Sequence, residues 1–63
     1  MREIVISIRD ARAAGEIIHD RFHGYQSMIK QVCSDVYQVE SSWLAEDMYY
    51  VLKNDFNLEV TLK

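Results

Sequence analysis

Proline does not occur in this chain, and glycine occurs only at Gly15 and Gly24. Loops are therefore expected to be short, which leaves little room for a loop-built active site. A glycine-rich turn ahead of a helix, the usual cradle for phosphates, has no counterpart, because Gly15 falls inside a helical pattern. The single cysteine, Cys33, excludes an internal disulfide. A lone thiol suits a reducing compartment, so a cytoplasmic location is expected. The longest apolar stretches are a handful of residues, far below the ~20 that a membrane-spanning helix needs. No positively charged start precedes an apolar run, so no signal peptide is expected.

What is present fits one small domain, residues 1–63. A domain this size buries only about 60% of the surface its unfolded chain exposes. The apolar share, 49%, is generous. Even so, small domains commonly draw on a disulfide, a metal or a second subunit. No metal-ligand cluster of usual spacing is visible and no cofactor is expected, so self-association is the remaining aid and a homodimer is expected. The net charge of −3 is unevenly placed: residues 1–33 sum to +1 and residues 34–63 to −4. The two halves could attract one another within or between subunits. Nucleic-acid-binding domains usually carry a basic footprint, and this balance argues against one.

"EIVISIR" (Glu3 to Arg9) reads as a strand, with β-branched residues and Ile4, Ile6 and Ile8 alternating against Val5 and Ser7. "LEVTL" (Leu58 to Leu62) repeats that alternation. Between them, a helix over 10–23 opens at Asp10, a good N-cap residue, with Ala11, Ala14, Ile18, Phe22 and Tyr25 at helical spacing. Gly24 is expected to stop it by adopting a left-handed conformation. A second helix over 42–54 opens at Ser41 or Ser42, with Leu44, Met48, Val51, Leu52 and Asp55 or Phe56 inward.

The middle of the chain admits two readings. Tyr25, Met28, Ile29, Val32, Cys33 and Val36 obey helical spacing, which would give a β-α-α-β helical hairpin with paired terminal strands. Against that, "SMIKQV" and "VYQVE" are rich in valine and isoleucine, and Ser34-Asp35 between them has turn chemistry. With strands at 28–33 and 36–40 the halves match, and the order becomes β-α-β-β-α-β. The favoured expectation is therefore a compact ferredoxin-like split β-α-β fold, α+β, with two helices on one face of a four-stranded antiparallel sheet.

Glu16, His19 and His23 sit three and four residues apart, a spacing that can place two imidazoles and a carboxylate on one metal. The same stripe lies away from Ala14, Ile18 and Phe22. The plainer reading is a solvated face with an Arg12–Glu16 ion pair. Cys33 has no base placed beside it and is expected to be a small buried core residue. The metal-carrying domains of this fold hold Cys-x-x-Cys after the first strand. The residues here are "IRDARAAG", so the likeness stops at topology. The scattered carboxylates form no pair with one member desolvated, and no catalytic residue is assigned. RNA binding on a sheet face needs stacking aromatics, for which only Tyr37 is available.

The more informative feature is the outer side of the second helix. If Leu44, Met48, Val51 and Leu52 face inward, then Trp43, Glu46, Tyr50 and Lys53 face out, with Asp47 and Tyr49 at the margins. Exposed Trp and Tyr among acids make a protein-binding patch, unless Trp43 folds over the sheet edge to complete a thin core. The expected partner-binding residues are Trp43, Glu46, Asp47, Tyr49 and Tyr50. The expected function is non-enzymatic: an inhibitor or adaptor that occupies a protein partner's surface. Small acidic inhibitors from phages and mobile elements, anti-CRISPR proteins among them, have this size and charge, and would block a host nucleic-acid-binding or defence protein. The alternative is a small dimeric nucleic-acid-binding regulator that aligns Arg2, Arg9, Arg12 and Arg21 into a basic stripe.

Overall fold

A computed structural model describes residues 1–63. In chain order the elements are β1 (Arg2–Ile6), α1 (Ala11–Arg21), β2 (Ile29–Cys33), β3 (Val36–Val39), α2 (Ser42–Tyr50) and β4 (Val60–Leu62). Short 3-10 segments, Ile8–Asp10 and His23–Met28, flank α1, and a π-wound turn, Val51–Asp55, extends α2. The strands form one antiparallel sheet in the order β2-β3-β1-β4. The protein is thus a small α+β fold, and the chain reverses at Ser34-Asp35 rather than continuing as a helix.

Strand alternation builds the core. Ile4 pairs with Tyr37 on one side and Leu62 on the other, and Ile6 pairs with Val60. These residues share a sheet face with Val39, and all but half-buried Leu62 are buried. Ala14, Ile18 and Phe22 from the α1 side and Leu44, Ala45, Met48 and Leu52 from the α2 side close over them as a single cluster. The opposite sheet face, which includes Glu3, Val5, Val36, Gln38 and Thr61, is half-buried or exposed. No helix is long and apolar enough to cross a membrane.

The β2–β3 turn explains an irregularity in β2. Two-residue hairpins favour turn types that need positive φ, which matches the right-handed strand twist. Neither Ser34 nor Asp35 has a positive φ. The mismatch is taken up by a bulge between Gln31 and Cys33, which leaves Val32 unpaired and 51% exposed.

Several expectations are corrected. Cys33 is exposed, not a core residue, and its thiol donates to Asp35 Oδ1 at 3.2 Å. It lies at the end of β2, an edge strand with no element covering it. Ile8 does not continue the β1 alternation. The chain leaves the sheet at Ser7, whose N–H still reaches the Glu59 carbonyl at 2.9 Å, and Ile8 is 73% exposed. Asp10 occupies the α1 N-cap position but makes no capping bond there; its Oδ2 accepts the Glu59 N–H at 2.9 Å and ties the start of β4 to α1.

Gly24 has no left-handed conformation. The chain leaves α1 at Phe22, whose ring is buried, and passes Gly24 within the 3-10 segment. Tyr25 lies in that segment too, off the α1 stripe and exposed. The left-handed residue is Asn57, at φ 56°, which asparagine tolerates. Leu58 N–H there bonds the Leu52 carbonyl at 3.0 Å. That closure is one residue wider than a Schellman end, as a π-wound turn requires. The extra residue moves Asp55 and Phe56 out of the core, and both are exposed.

Candidate functional site

The outer face of α2 is set by how firmly its inner face is held. Ser41 is extended at the N-cap position and its carbonyl takes the Ala45 N–H at 3.0 Å. Leu44, Ala45, Met48 and Leu52, at spacings of one, three and four, are all 0% exposed. That stripe leaves Trp43, Asp47 and Tyr50 outward. Trp43 is 55% and Tyr50 59% exposed, and seven residues of helix set them roughly 10 Å apart along the axis.

Neither reading of Trp43 is complete. It does not fold into the core, and it is not isolated. Its ring meets Tyr25 edge-on, with centroids 5.6 Å apart and planes at 79°. Aromatic pairs favour this geometry because ring edges are positive and faces negative. Tyr49, half-buried, meets Tyr50 at 5.7 Å in the same manner. The Lys53 ammonium donates to the Tyr49 hydroxyl at 2.9 Å. That bond, followed by the charge of Tyr49, raises the Lys53 pKa above its ordinary value. The face thus carries an aromatic pair at each end, Tyr25–Trp43 and Tyr49–Tyr50, with carboxylates between.

The two carboxylates divide. Glu46 faces Arg2 at 3.6 Å. Arg2 also donates to Ser42 Oγ at 3.1 Å and to the Lys63 carbonyl at 2.8 Å, which joins β1, α2 and the end of β4. Asp47 has no ion pair and is exposed. Of the five predicted residues, Trp43, Asp47 and Tyr50 form the open surface, Tyr49 supports it from the margin, and Glu46 is engaged internally. Tyr25 was not predicted. It lies eighteen residues from Trp43, and no periodicity links the two.

Each arginine of the supposed basic stripe is engaged. Arg9 bonds Glu59 at 3.1 Å, Arg12 faces Glu16 at 3.9 Å, and the Arg21 guanidinium lies 5.2 Å from the Phe56 ring centroid. Glu16, His19 and His23 are exposed, but α1 ends at Arg21, so His23 is not on the same helix. The two imidazoles meet edge-on at 5.5 Å, and His23 Nδ1 is hydrogen-bonded to Gln26 Nε2 at 2.6 Å. No three His, Cys, Asp or Glu side chains converge closely enough to hold one ion.

Tyr37 was expected on the free sheet face. It lies on the helix-facing side, only 5% exposed, because β3 alternates with Val39 inward. Burial raises its pKa. Its hydroxyl lies 3.3 Å from where a Cβ on Gly15 would stand, so glycine at that position makes room for the ring. The sequence signal was a glycine inside a helix, a costly choice without a packing reason. An open groove of about 730 Å³ lies beside it, between α1 and the β2–β3 hairpin.

The chain matches no protein-family model, no curated protein and no solved structure.

Proposed function

We propose that this protein is a non-enzymatic binding module that acts by occupying a protein partner's surface through the outer face of α2. The observation that carries the reading is the exposure of Trp43 and Tyr50 on a helix whose inner residues are wholly buried. Large aromatics on a rigid support supply contact area at low entropic cost, and Trp and Tyr dominate interface energetics. Asp47, free of any ion pair, adds a negative charge between them. Presented to a groove that binds nucleic acid, such a face would stand where phosphates lie. That suits an inhibitor of a host nucleic-acid-binding or defence protein, in the manner of small phage inhibitors such as anti-CRISPR proteins.

The scaffold reading that goes with this is a ferredoxin-like split β-α-β plan, supported by the β-α-β-β-α-β order and the β2-β3-β1-β4 arrangement. A homodimer belongs to the same reading. A core of twelve buried residues gains from a second copy, and the open sheet face around Val5 and Val36 is the surface for it. An exposed free thiol at Cys33 fits a reducing cytoplasm. A nucleic-acid-binding regulator is less well supported, since Arg2, Arg9, Arg12 and Arg21 are all engaged within the chain.

The test uses the intact chain as bait in a native lysate. Trp43→Ala with Tyr50→Ala is expected to weaken capture of the partner by at least about thirtyfold, the scale of interface hot spots. Asp47→Lys is the charge-reversal test, since reversing Glu46 would also break the Arg2 junction. Undiminished capture by the triple variant removes this face from consideration. A mobility shift of DNA or RNA at low salt would restore the alternative.

A further inference from the structure

We propose that the groove between α1 and β2 receives an extended segment of a partner polypeptide as a fifth strand on β2, one that places an apolar and a basic side chain two residues apart. This goes beyond the aromatic face of α2, which takes no part in it.

The backbone supplies the first half. The Met28 carbonyl accepts the Glu40 N–H at 3.0 Å, and Lys30 lies opposite Gln38. Hydrogen-bonded and non-bonded pairs alternate in an antiparallel ladder. Lys30 therefore spends its backbone groups on β3. The Ile29 N–H closes on the Gln26 carbonyl at the end of the 3-10 segment, which leaves the Ile29 C=O and the Gln31 N–H and C=O turned outward with no strand to receive them. Edge groups of this kind are templates for strand addition. The bulge at Val32 ends the regular edge, so the template is the three residues Ile29–Gln31.

The groove supplies the second half. Ile29 and Gln31 lie opposite Val39 and Tyr37, so their side chains share the helix-facing side. Residues of an added strand directly opposite them would point into the same space. At the Ile29 end, a smaller hollow of about 200 Å³ is lined by Ile18, Phe22 and Ile29, and takes an apolar side chain. At the Gln31 end, the larger groove is lined by Arg12, Glu16 and Asp20. Arg12 faces Glu16, whereas Asp20 has no ion-pair partner. The unmatched charge is negative, and the complement is a lysine or arginine. Tyr37 lines both spaces; the residue is 95% buried, and its hydroxyl makes no hydrogen bond within the chain but still reaches solvent.

A second copy of β2 is a poor occupant. Antiparallel self-pairing centred on Lys30 sets two lysines opposite each other and brings Ile29 and Gln31, not a base, into the groove.

The probe is the blocked, fluorophore-labelled peptide Thr-Lys-Thr-Val-Thr, which in antiparallel pairing sets Lys opposite Gln31 and Val opposite Ile29, titrated against the full chain by fluorescence anisotropy, with a counterpart carrying Glu in place of Lys. The lysine peptide is expected to bind roughly three- to fivefold more tightly, and Asp20→Lys to erase that preference. Amide exchange at Gln31 should slow on binding. Gln31→Pro removes an outward N–H while leaving the β3 ladder intact, as edge strands permit. It should weaken binding at least about fivefold with an unchanged circular dichroism spectrum. Trp43→Ala should leave peptide binding unchanged, which separates this groove from the aromatic face. Equal binding of the two peptides, or no added protection at Gln31, overturns the proposal. The protection measurement on the unmodified chain decides the matter if Gln31→Pro fails to fold. A dimer that sedimentation detects and Gln31→Pro dissolves also overturns it, with a second copy as the occupant.

Discussion

The two helices lie over the same sheet face but are seated differently. α2 contributes Leu44, Ala45 and Met48 at 0% exposure, followed by Leu52 in its π-wound extension, and it packs against β1, β3 and β4. α1 buries only Ala14 and Ile18 within its own length, and beside it four of the five β2 residues are exposed. The cause is side-chain size. Ala14 and Gly15 let α1 settle over the Tyr37 ring, and of the α1 side chains only Ile18 lines a hollow with Ile29 of β2. One side of the molecule is a sealed wedge that holds aromatic anchors rigidly outward. The other is an open groove beside an unpaired strand edge. The two sides suit different kinds of contact, a preformed helix face on the first and backbone pairing on the second.

The sharpest way to break this comparison is to truncate one residue on each side. Leu44→Ala should cost about 3 kcal/mol, the usual scale for a buried Leu→Ala change. A domain of this length has only about 3–9 kcal/mol in total, so most of the fold would be lost. Ile29→Ala, beside the groove, should cost less than about 1 kcal/mol, because its side chain is only partly buried. Urea unfolding of both variants checks the pair, and equal losses would mean that the two sides are equally packed.

A smaller effect is expected at the junction of the sealed side. Arg2→Ala removes bonds to Ser42 and Lys63 and the Glu46 ion pair. The expected cost is about 1–2 kcal/mol, with faster amide exchange at Leu62 and Lys63 and little change in β2.

On the groove side, Tyr37 gives a pH signature. Burial disfavours its phenolate, so its folded pKa lies above the ordinary value near 10. An unfolded chain releases that proton first. The stabilising contribution is therefore complete below about pH 10 and is lost as pH rises through the folded pKa. Lys53, raised by its bond to Tyr49, acts in the same sense. Urea midpoints measured from pH 8 upward should decline in the alkaline range, and Tyr37→Phe should flatten the decline. An unchanged decline in that variant would show that Tyr37 has no part in it. The smallest effect belongs to Cys33. Its alkylation in the native state should proceed at close to the unfolded rate and shift stability by less than about 0.5 kcal/mol; slow labelling would mean that β2 is covered in solution.

Much of the architecture was readable from local pattern. Alternation placed Ile4 and Ile6 together, Ser34-Asp35 had turn chemistry, and the 44–48–52 spacing aimed Trp43 and Tyr50 outward. These features have short-range causes, since side-chain direction follows from backbone period within a strand or a helix. The errors fell where a distant segment intervened. Ile8 obeyed the strand period but lies past the point where β1 leaves the sheet. Gly24 had helix-stop chemistry, but the burial of Phe22 fixed the exit earlier. Cys33 looked like core, but β2 became an edge strand with nothing above it.

Sequence alone therefore determined the terminal strands, the two helices between them, the inner stripe of α2 and the outward aim of its aromatics. All of these depend on residues a few positions apart. Tertiary structure decided that Tyr25 meets Trp43, that Glu46 is bound to Arg2 while Asp47 stays free, that Tyr37 stands beneath Gly15, and that β2 keeps an open edge. Each of these joins residues distant in the chain. Their proximity depends on how closely α1 and α2 approach the sheet, a distance that packing sets and no local spacing encodes.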